Sequence, residues 1–78
     1  MPTVLRIGKF RFHFYSDERG ESPHIHVAVA QTECKFWLTP VAFAGSKGLR
    51  PADVRRAERL VRAHAEFLRE KFREWHNR

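Results

Sequence analysis

Two histidines separated by a single residue, His24 and His26, are the residues of this sequence best suited to chemistry. Successive side chains of a β-strand point to opposite faces, so both imidazoles would share one face, with their Cα atoms about 7 Å apart. Imidazole gains and loses a proton near neutral pH and binds metals, so the pair suits acid-base catalysis or metal ligation. Pro23 has no N–H to donate and fits the first residue of that strand. The pattern predicts a site at the start of a strand, beside a loop.

Alternation of apolar and polar residues predicts the strands that would position this pair. The clearest strand covers residues 9–15, with phenylalanine at every second position, and two more cover residues 24–30 and 33–38. We expect an antiparallel meander of three to five strands within residues 3–45, because apolar runs on either side could add edge strands. The apolar face of this sheet is predicted to bury Phe10, Phe12, Phe14, Ile25, Val27, Phe36 and Leu38.

Apolar residues at three- and four-residue spacing predict one long C-terminal α-helix over about residues 51–76, packed on one face of the sheet. Pro51 and Asp53 suit its first turn, where a missing N–H is tolerated and a carboxylate is favoured. The predicted fold class is therefore α+β, with residues 1–78 forming a single small domain. A chain this small buries a modest fraction of its surface, so association is a natural way to extend its core.

The predicted helix is about 37 Å long, which exceeds the dimensions of a small sheet. The last turns would then lie beyond the sheet, and large aromatic side chains are enriched at the centres of protein interfaces. We therefore expect a homodimer, or a complex with a small protein encoded by a neighbouring gene. The predicted interface residues are Phe67, Phe72 and Trp75.

The sheet face opposite the phenylalanines would gather acid-base groups, cations and rings. The candidate catalytic residues on it are His24, His26, Tyr15 and Lys35. The candidate nucleic-acid or ligand-binding residues are Arg11, His13, Lys35 and Trp37. Imidazoles could transfer protons while Lys and Arg stabilise anionic oxygens, so the set suits phosphate or RNA. The alternative is an exposed polar face without a role, which antiparallel sheets commonly have.

His24 and His26 are also candidate metal ligands, since two imidazoles on one face supply part of a zinc site. A third ligand would have to be His13 or Glu21, and no conventional zinc-binding spacing accompanies the pair. No cofactor is predicted. Cys34 falls on the apolar face of its strand, which indicates a buried small residue and not a nucleophile.

Fifteen Lys and Arg residues against nine acidic residues give a net charge of +6, spread along the whole chain. A basic surface favours RNA or an acidic protein as a partner, although a solvated Arg-rich helix face is the alternative interpretation. A single cysteine excludes an internal disulfide, so a reducing cytoplasm is the expected location. No apolar run approaches the ~20 residues of a membrane span, and no membrane partner is expected.

Five segments carry a family resemblance: Met1-Pro2-Thr3-Val4-Leu5-Arg6-Ile7, Phe14-Tyr15-Ser16, Pro23-His24-Ile25-His26-Val27, Lys35-Phe36-Trp37-Leu38 and the helical Leu60-Val61. Through them the whole chain resembles a widespread bacterial family of very short proteins, a domain-of-unknown-function family. Its members are often encoded beside another small protein and are classed as candidate toxin-antitoxin components. The resemblance thus implies a regulatory or interacting role. The family tends to have serine at the start of the helix, where this chain has Arg50.

The leading hypothesis is a toxin-antitoxin-type regulatory module that acts through a protein partner, with RNA as a second partner. The alternative is a small ribonuclease or metal-dependent hydrolase that uses the face of His24 and His26. Catalysis predicts a turnover that disappears when the histidines are replaced, whereas binding alone predicts an altered affinity with no turnover to lose.

Overall fold

A computed structural model describes residues 3–15 and 20–76, so Met1, Pro2 and Ser16 of the segments quoted above lie outside the described residues. Five antiparallel strands form one sheet in chain order: β1 Thr3–Ile7, β2 Phe10–His13, β3 His24–Val29, β4 Thr32–Leu38 and β5 Val41–Lys47. Two helices follow, α1 Pro51–Ala63 and α2 Ala65–His76. The α+β class and the antiparallel meander are confirmed, and β5 continues beyond the predicted limit at residue 45.

Two tight turns of the meander, β1–β2 and β3–β4, contain a residue with positive φ. Gly8 supplies one between β1 and β2, with φ of 55°. Between β3 and β4 the same role falls to Ala30, whose φ is 54° although its Cβ disfavours that region. The hydroxyl of Thr32 donates to the carbonyl of Val29 at 2.7 Å and closes this turn. The turn therefore lies one residue earlier than the alternation pattern predicted.

The strand registers place the predicted apolar residues on a single face of the sheet. Phe12 is opposite Val27, and Ile25 is opposite Phe36, so the side chains of these residues point the same way. All seven residues predicted to be buried are buried, and Ala57, Val61 and Leu68 of the helices pack against them. The hydrophobic core therefore lies between this sheet face and the two helices.

The C-terminal helix is interrupted at His64, so the prediction of one long helix is wrong. His64 has φ of −115°, outside the α-helical range, while its amide still donates to Leu60 at 3.1 Å. α1 begins beside the β1–β2 turn, where Lys9 contacts Asp53. α2 then lies over β4, where Arg69 Nε donates to the carbonyl of Leu38 at 2.9 Å.

The first helix is about as long as the sheet is wide. Five strands span about 19 Å, and α1 with its 13 residues is about 20 Å long, so α1 alone crosses the sheet. A straight continuation would leave the sheet. The change of direction at His64 keeps α2 in contact with β3 and β4, and Leu68 is fully buried there. Neither helix described is long and apolar enough to cross a membrane.

The break also changes which aromatic residues are covered. Phe72 is buried, with its ring centroid 5.5 Å from that of Phe14 and 5.3 Å from that of His24. The prediction that Phe72 is left uncovered is therefore wrong. Phe67 is 38% exposed, and Trp75 is half-buried and packs against the core.

The first turn of α1 is held by charged contacts in place of a capping side chain. Arg50 occupies the N-cap position without a side-chain cap hydrogen bond. The buried carboxylate of Asp53 lies 3.0 Å from the ammonium of Lys9 and 3.3 Å from the guanidinium of Arg50. The hydrogen bond from Lys9 is the main reason that the pKa of Asp53 lies below its usual value. This contact joins the β1–β2 turn to the helix.

Replacing Phe36 with alanine is expected to lower the free energy of unfolding by roughly 3–5 kcal/mol, because its ring is fully buried between sheet and helices. The neighbouring Phe43 is a matched control, since its ring contacts Phe36 but is 51% exposed. Phe43→Ala should cost no more than about 1.5 kcal/mol, as only part of the ring leaves water on folding. Urea denaturation measures both, and equal losses would contradict the placement of the core.

The contact between Asp53 and Lys9 predicts a pH-dependent loss of stability in Asp53→Asn. A carboxyl whose folded pKa is lowered stabilises the fold fully above its unfolded pKa of about 3.9 and loses this contribution as pH falls through the folded pKa. The variant should therefore be less stable than wild type at pH 7, and the difference should narrow below about pH 4. Thermal unfolding from pH 3 to pH 7 tests this, and a difference that does not change with pH would refute it.

Candidate active site on the polar face of the sheet

The face of the sheet opposite the core collects the predicted site residues from three neighbouring strands. His13 of β2 is directly opposite His26 of β3, and His26 is opposite Lys35 of β4. His24 is opposite Trp37 in the same way. Directly opposite residues in antiparallel strands have side chains on the same face, so these predicted residues are brought together.

Glu33 of β4 lies at the centre of this face. The hydroxyl of Tyr15 donates to its Oε1 at 2.7 Å, and Nε2 of His13 lies 3.6 Å from the same oxygen. The other oxygen, Oε2, lies 3.2 Å from Nδ1 of His26. One carboxylate therefore contacts a phenol and two imidazoles. We call Tyr15, His13, His26 and Glu33 the Glu33 cluster.

The rings of the Glu33 cluster fix one another by packing. The imidazoles of His13 and His26 are stacked with centroids 5.6 Å apart and planes 17° apart. The Tyr15 ring meets the His26 ring edge-on at 4.4 Å. His13 and His26 are only 7% and 6% exposed. Such packing holds the acid-base groups in one orientation, which proton transfer requires.

A groove of about 480 Å³ gives access to part of the cluster. Tyr15, His26 and Glu33 line it, together with Lys35 and with residues 44–47 of β5. The ammonium of Lys35 lies 2.7 Å from the carboxylate of Glu21 and 4.5 Å from the centroid of the Trp37 ring. Lys47 at the end of β5 is exposed and has no carboxylate partner among residues 3–15 and 20–76. The groove thus combines proton-transfer groups with two cations.

His24 differs from the prediction that it projects from an open face beside His26. It shares that face, but it is fully buried, with its ring 5.9 Å from that of Trp37 and 5.3 Å from that of Phe72. Its Nδ1 lies 2.8 Å from the carbonyl oxygen of Ser22, and because a carbonyl only accepts, Nδ1 donates. α2 reaches this end of the sheet because the helix changes direction at His64. His24 therefore supports the packing around His26.

The other predicted binding residues have structural contacts of their own. Arg11 donates from its guanidinium to the carbonyl of Ala30 at 2.6 Å and so holds the β3–β4 turn. Trp37 is half-buried between the ring of His24 and the ammonium of Lys35. His13 belongs to the Glu33 cluster. Of the predicted binding residues, Lys35 contributes to the groove.

Burial changes the acid-base properties of two side chains near the groove. Removal from water is the main reason that the pKa of His13 lies below its usual value, although the carboxylate of Glu33 acts in the opposite direction. Burial also raises the pKa of the Cys34 thiol to about 12. Cys34 is 1% exposed, so its interpretation as a buried small residue is confirmed. His13 is therefore neutral at neutral pH, and Cys34 remains a thiol.

The metal-site hypothesis gains no third ligand from the described residues. Within residues 3–15 and 20–76, no three His, Cys, Asp or Glu side chains converge in a way that could hold a metal ion. Glu21 is 4.0 Å from Nδ1 of His24 but closer to Lys35, with which it pairs. His24 itself directs Nδ1 to a backbone carbonyl.

Sequence reasoning did not select Glu33 or the residues of β5 that line the groove. Glu33 follows the same two-residue period as Lys35 and Trp37, so the alternation placed it on the correct face. Its register against His26 and its distance to Tyr15 are not visible in that alternation. Lys47 was outside the predicted strands altogether.

The fold and the Glu33 cluster define a small α+β protein with a group of acid-base residues on one face of an antiparallel sheet. The family model described as Domain of unknown function (DUF4160) matches residues 10–73 of the chain. The chain therefore belongs to this family, and its predicted membership of a domain-of-unknown-function family is confirmed. The matched residues run from the first residue of β2 to α2 and include the whole Glu33 cluster. No curated protein and no solved structure matches the chain.

The lowered pKa of His13 predicts that the protein loses stability on mild acidification. The unfolded chain binds a proton on this residue near pH 6.5, before the folded chain does, so stability is complete above that pH and is lost as pH falls through the folded pKa. Between pH 7 and pH 5 the free energy of unfolding should fall more in wild type than in His13→Gln. Denaturant titrations at each pH measure the free energy of unfolding. An equal fall with pH in wild type and in His13→Gln would contradict the prediction.

Proposed function

We propose that this chain is the RNA-directed member of a toxin-antitoxin-type pair and that it cleaves single-stranded RNA in the groove of the Glu33 cluster. The observation that carries the proposal is the carboxylate of Glu33, which faces Tyr15 and His26 in a groove that also holds Lys35 and Lys47. The family resemblance supports the toxin-antitoxin class, and the net charge of +6 supports an anionic substrate.

Glu33 favours cleavage over simple RNA binding. A carboxylate in a site that only held phosphates would repel them, which argues against simple RNA binding. A carboxylate beside an imidazole is useful when one group must remove a proton and the other must supply one. Oε2 of Glu33 and Nδ1 of His26 lie 3.2 Å apart, and both side chains line the same groove.

The reaction consistent with these groups is an internal transesterification. Glu33 accepts the proton of a ribose 2′-hydroxyl while the oxygen of that hydroxyl bonds to the neighbouring phosphorus. The bond between phosphorus and the 5′-oxygen breaks, and His26, in its protonated form, donates a proton to that oxygen. The products are a 2′,3′-cyclic phosphate and a free 5′-hydroxyl, and the step needs no further reactant. Lys35 and Lys47 line the same groove, and in this proposal their ammonium groups stabilise the charge on the phosphate oxygens.

This proposal replaces His24 by Glu33 in the predicted catalytic set. His24 is fully buried, whereas His26, Tyr15 and Lys35 line the groove. Tyr15 orients the carboxylate through its hydrogen bond of 2.7 Å. The metal-dependent hydrolase is not proposed, because the described side chains offer no group of three ligands.

Self-association through α2 stays a prediction. The exposed aromatic surface available for it is smaller than the sequence indicated. Phe67 is exposed, Trp75 is half-buried, and Phe72 is part of the core. Since one exposed ring is little for a stable dimer, we propose the neighbour-encoded protein as the main partner.

Cleavage of a labelled single-stranded RNA in the presence of EDTA tests the proposal. Wild type should produce 2′,3′-cyclic phosphate ends, and Glu33→Gln should lower the rate by about 10²–10⁴-fold while it retains RNA binding. Glu70→Gln, an exposed position on α2, is the matched control and should retain activity. RNA with a 2′-deoxy sugar at the cleaved position should stay intact.

The binding step is measured separately by filter retention of the 2′-deoxy RNA. Log affinity should fall with log salt at about −0.7 per phosphate contacted, and Lys47→Glu should weaken binding more than the equal charge change Arg73→Glu. Retention without any cleavage would remove the catalytic part of the proposal. No retention at low salt, with no cleavage, would refute the RNA assignment itself.

A further inference from the structure

A second groove lies on the helix side of the sheet, between the β1–β2 turn and α1. Its volume is about 500 Å³. Apolar side chains come from Ile7, Phe10 and Leu60, and cationic side chains come from Lys9, Arg56 and Arg59. Phe10 belongs to the core face of the sheet, so this groove opens on the side opposite the Glu33 cluster.

Two of the three cations of this groove have no carboxylate partner among the residues that the structure describes. Lys9 pairs with Asp53 at 3.0 Å. Arg56 and Arg59 are exposed, and neither has a carboxylate partner among residues 3–15 and 20–76. Arg50, at the N-cap, and Arg62 are each paired with an acidic residue of α1, whereas Arg55 is exposed and lies outside the groove. What distinguishes this groove is that two guanidiniums without carboxylate partners lie beside apolar side chains, with Arg56 5.9 Å from the centroid of the Phe10 ring.

The arrangement is suited to a peptide with acidic and apolar side chains. Residues three apart on a helix are neighbours about 5–6 Å apart at Cβ, so Arg56 and Arg59 can each take one carboxylate of a short segment. Ile7 and Leu60 are half-buried and leave apolar surface between the cations. Phe10 is only 4% exposed, so the groove offers no free ring on which a nucleic-acid base could stack.

We propose that this groove docks an acidic segment of a protein partner. One aliphatic or aromatic side chain of the segment enters between Ile7 and Leu60, and flanking carboxylates pair with Arg56 and Arg59. The charge complementarity and the apolar floor carry the proposal, which is independent of the RNA chemistry on the other face. The two faces would allow partner and RNA to bind separately.

NMR titration of the ¹⁵N-labelled protein tests the site directly. The probe is a 12-residue peptide in which pairs of glutamates alternate with single leucines. Its amide shift changes should concentrate at residues 7–10 and 56–60. Arg56→Glu combined with Arg59→Glu should raise Kd at least about tenfold, because the variant removes two charge-assisted hydrogen-bonding partners and replaces them with groups that repel the peptide.

The double variant Arg55→Glu, Arg73→Glu is the matched control. Both positions are exposed on the helices and outside the lining of the groove, and the change in net charge is the same. The proposal predicts a change in Kd of less than about threefold for this control. Equal weakening by both double variants, or equal binding of a peptide with lysine in place of glutamate, would overturn it. Absence of shifts with millimolar peptide, or shifts in this groove with a uridine 12-mer instead, would overturn it too.

Discussion

Strand β3 is covered on both of its faces, and most of the structure follows from that burial. Its residues from His24 to Ala28 are all buried. On one face Ile25 and Val27 contribute to the hydrophobic core, which is the usual role of a central strand. On the other face Ala28 is joined by two buried imidazoles, whose polar atoms need partners once they leave water. Nδ1 of His24 donates to the carbonyl of Ser22, and the carboxylate of Glu33 lies 3.2 Å from Nδ1 of His26.

This requirement connects stability with the candidate chemistry. A carboxylate that compensates buried imidazoles is also a carboxylate held at a fixed distance from them. Packing of His13 against His26 removes conformational freedom from both rings. The side chains of an acid-base site of this kind move little when a substrate binds, because folding has already fixed their positions. Its accessible portion is limited to the side facing β5, where the groove opens.

The two helices separate this site from the surface proposed for a protein partner. α1 crosses the sheet on the core side and presents Arg56 and Arg59 to solvent next to the β1–β2 turn. α2 changes direction at His64, and Phe72 then closes the end of the sheet near His24. A partner bound at α1 would act on the proposed RNA site only through the sheet itself, so inhibition by such a partner would require a change in the strands or a second contact.

The sequence alone determined the strands, the helical region and the sheet face of each predicted residue. These properties depend on local periods of two and about 3.6 residues, which are visible without any tertiary contact. The burial of the seven apolar strand residues followed from the same alternation. A shift of the strand register by one residue would have turned these side chains to the opposite face of the sheet.

The tertiary structure decided what local periodicity does not contain. Whether His24 is exposed depends on Phe72, which is 48 positions away along the chain and reaches it only after the helix breaks. The role of Glu33 depends on the β3–β4 register and on Tyr15 from beyond the end of β2. The break at His64 is a local change in backbone angles that the continuous apolar period of residues 54–75 does not show. The sheet face of a side chain is set by its position in the local sequence. Its exposure and its contacts are set by residues that are distant in sequence and close in space.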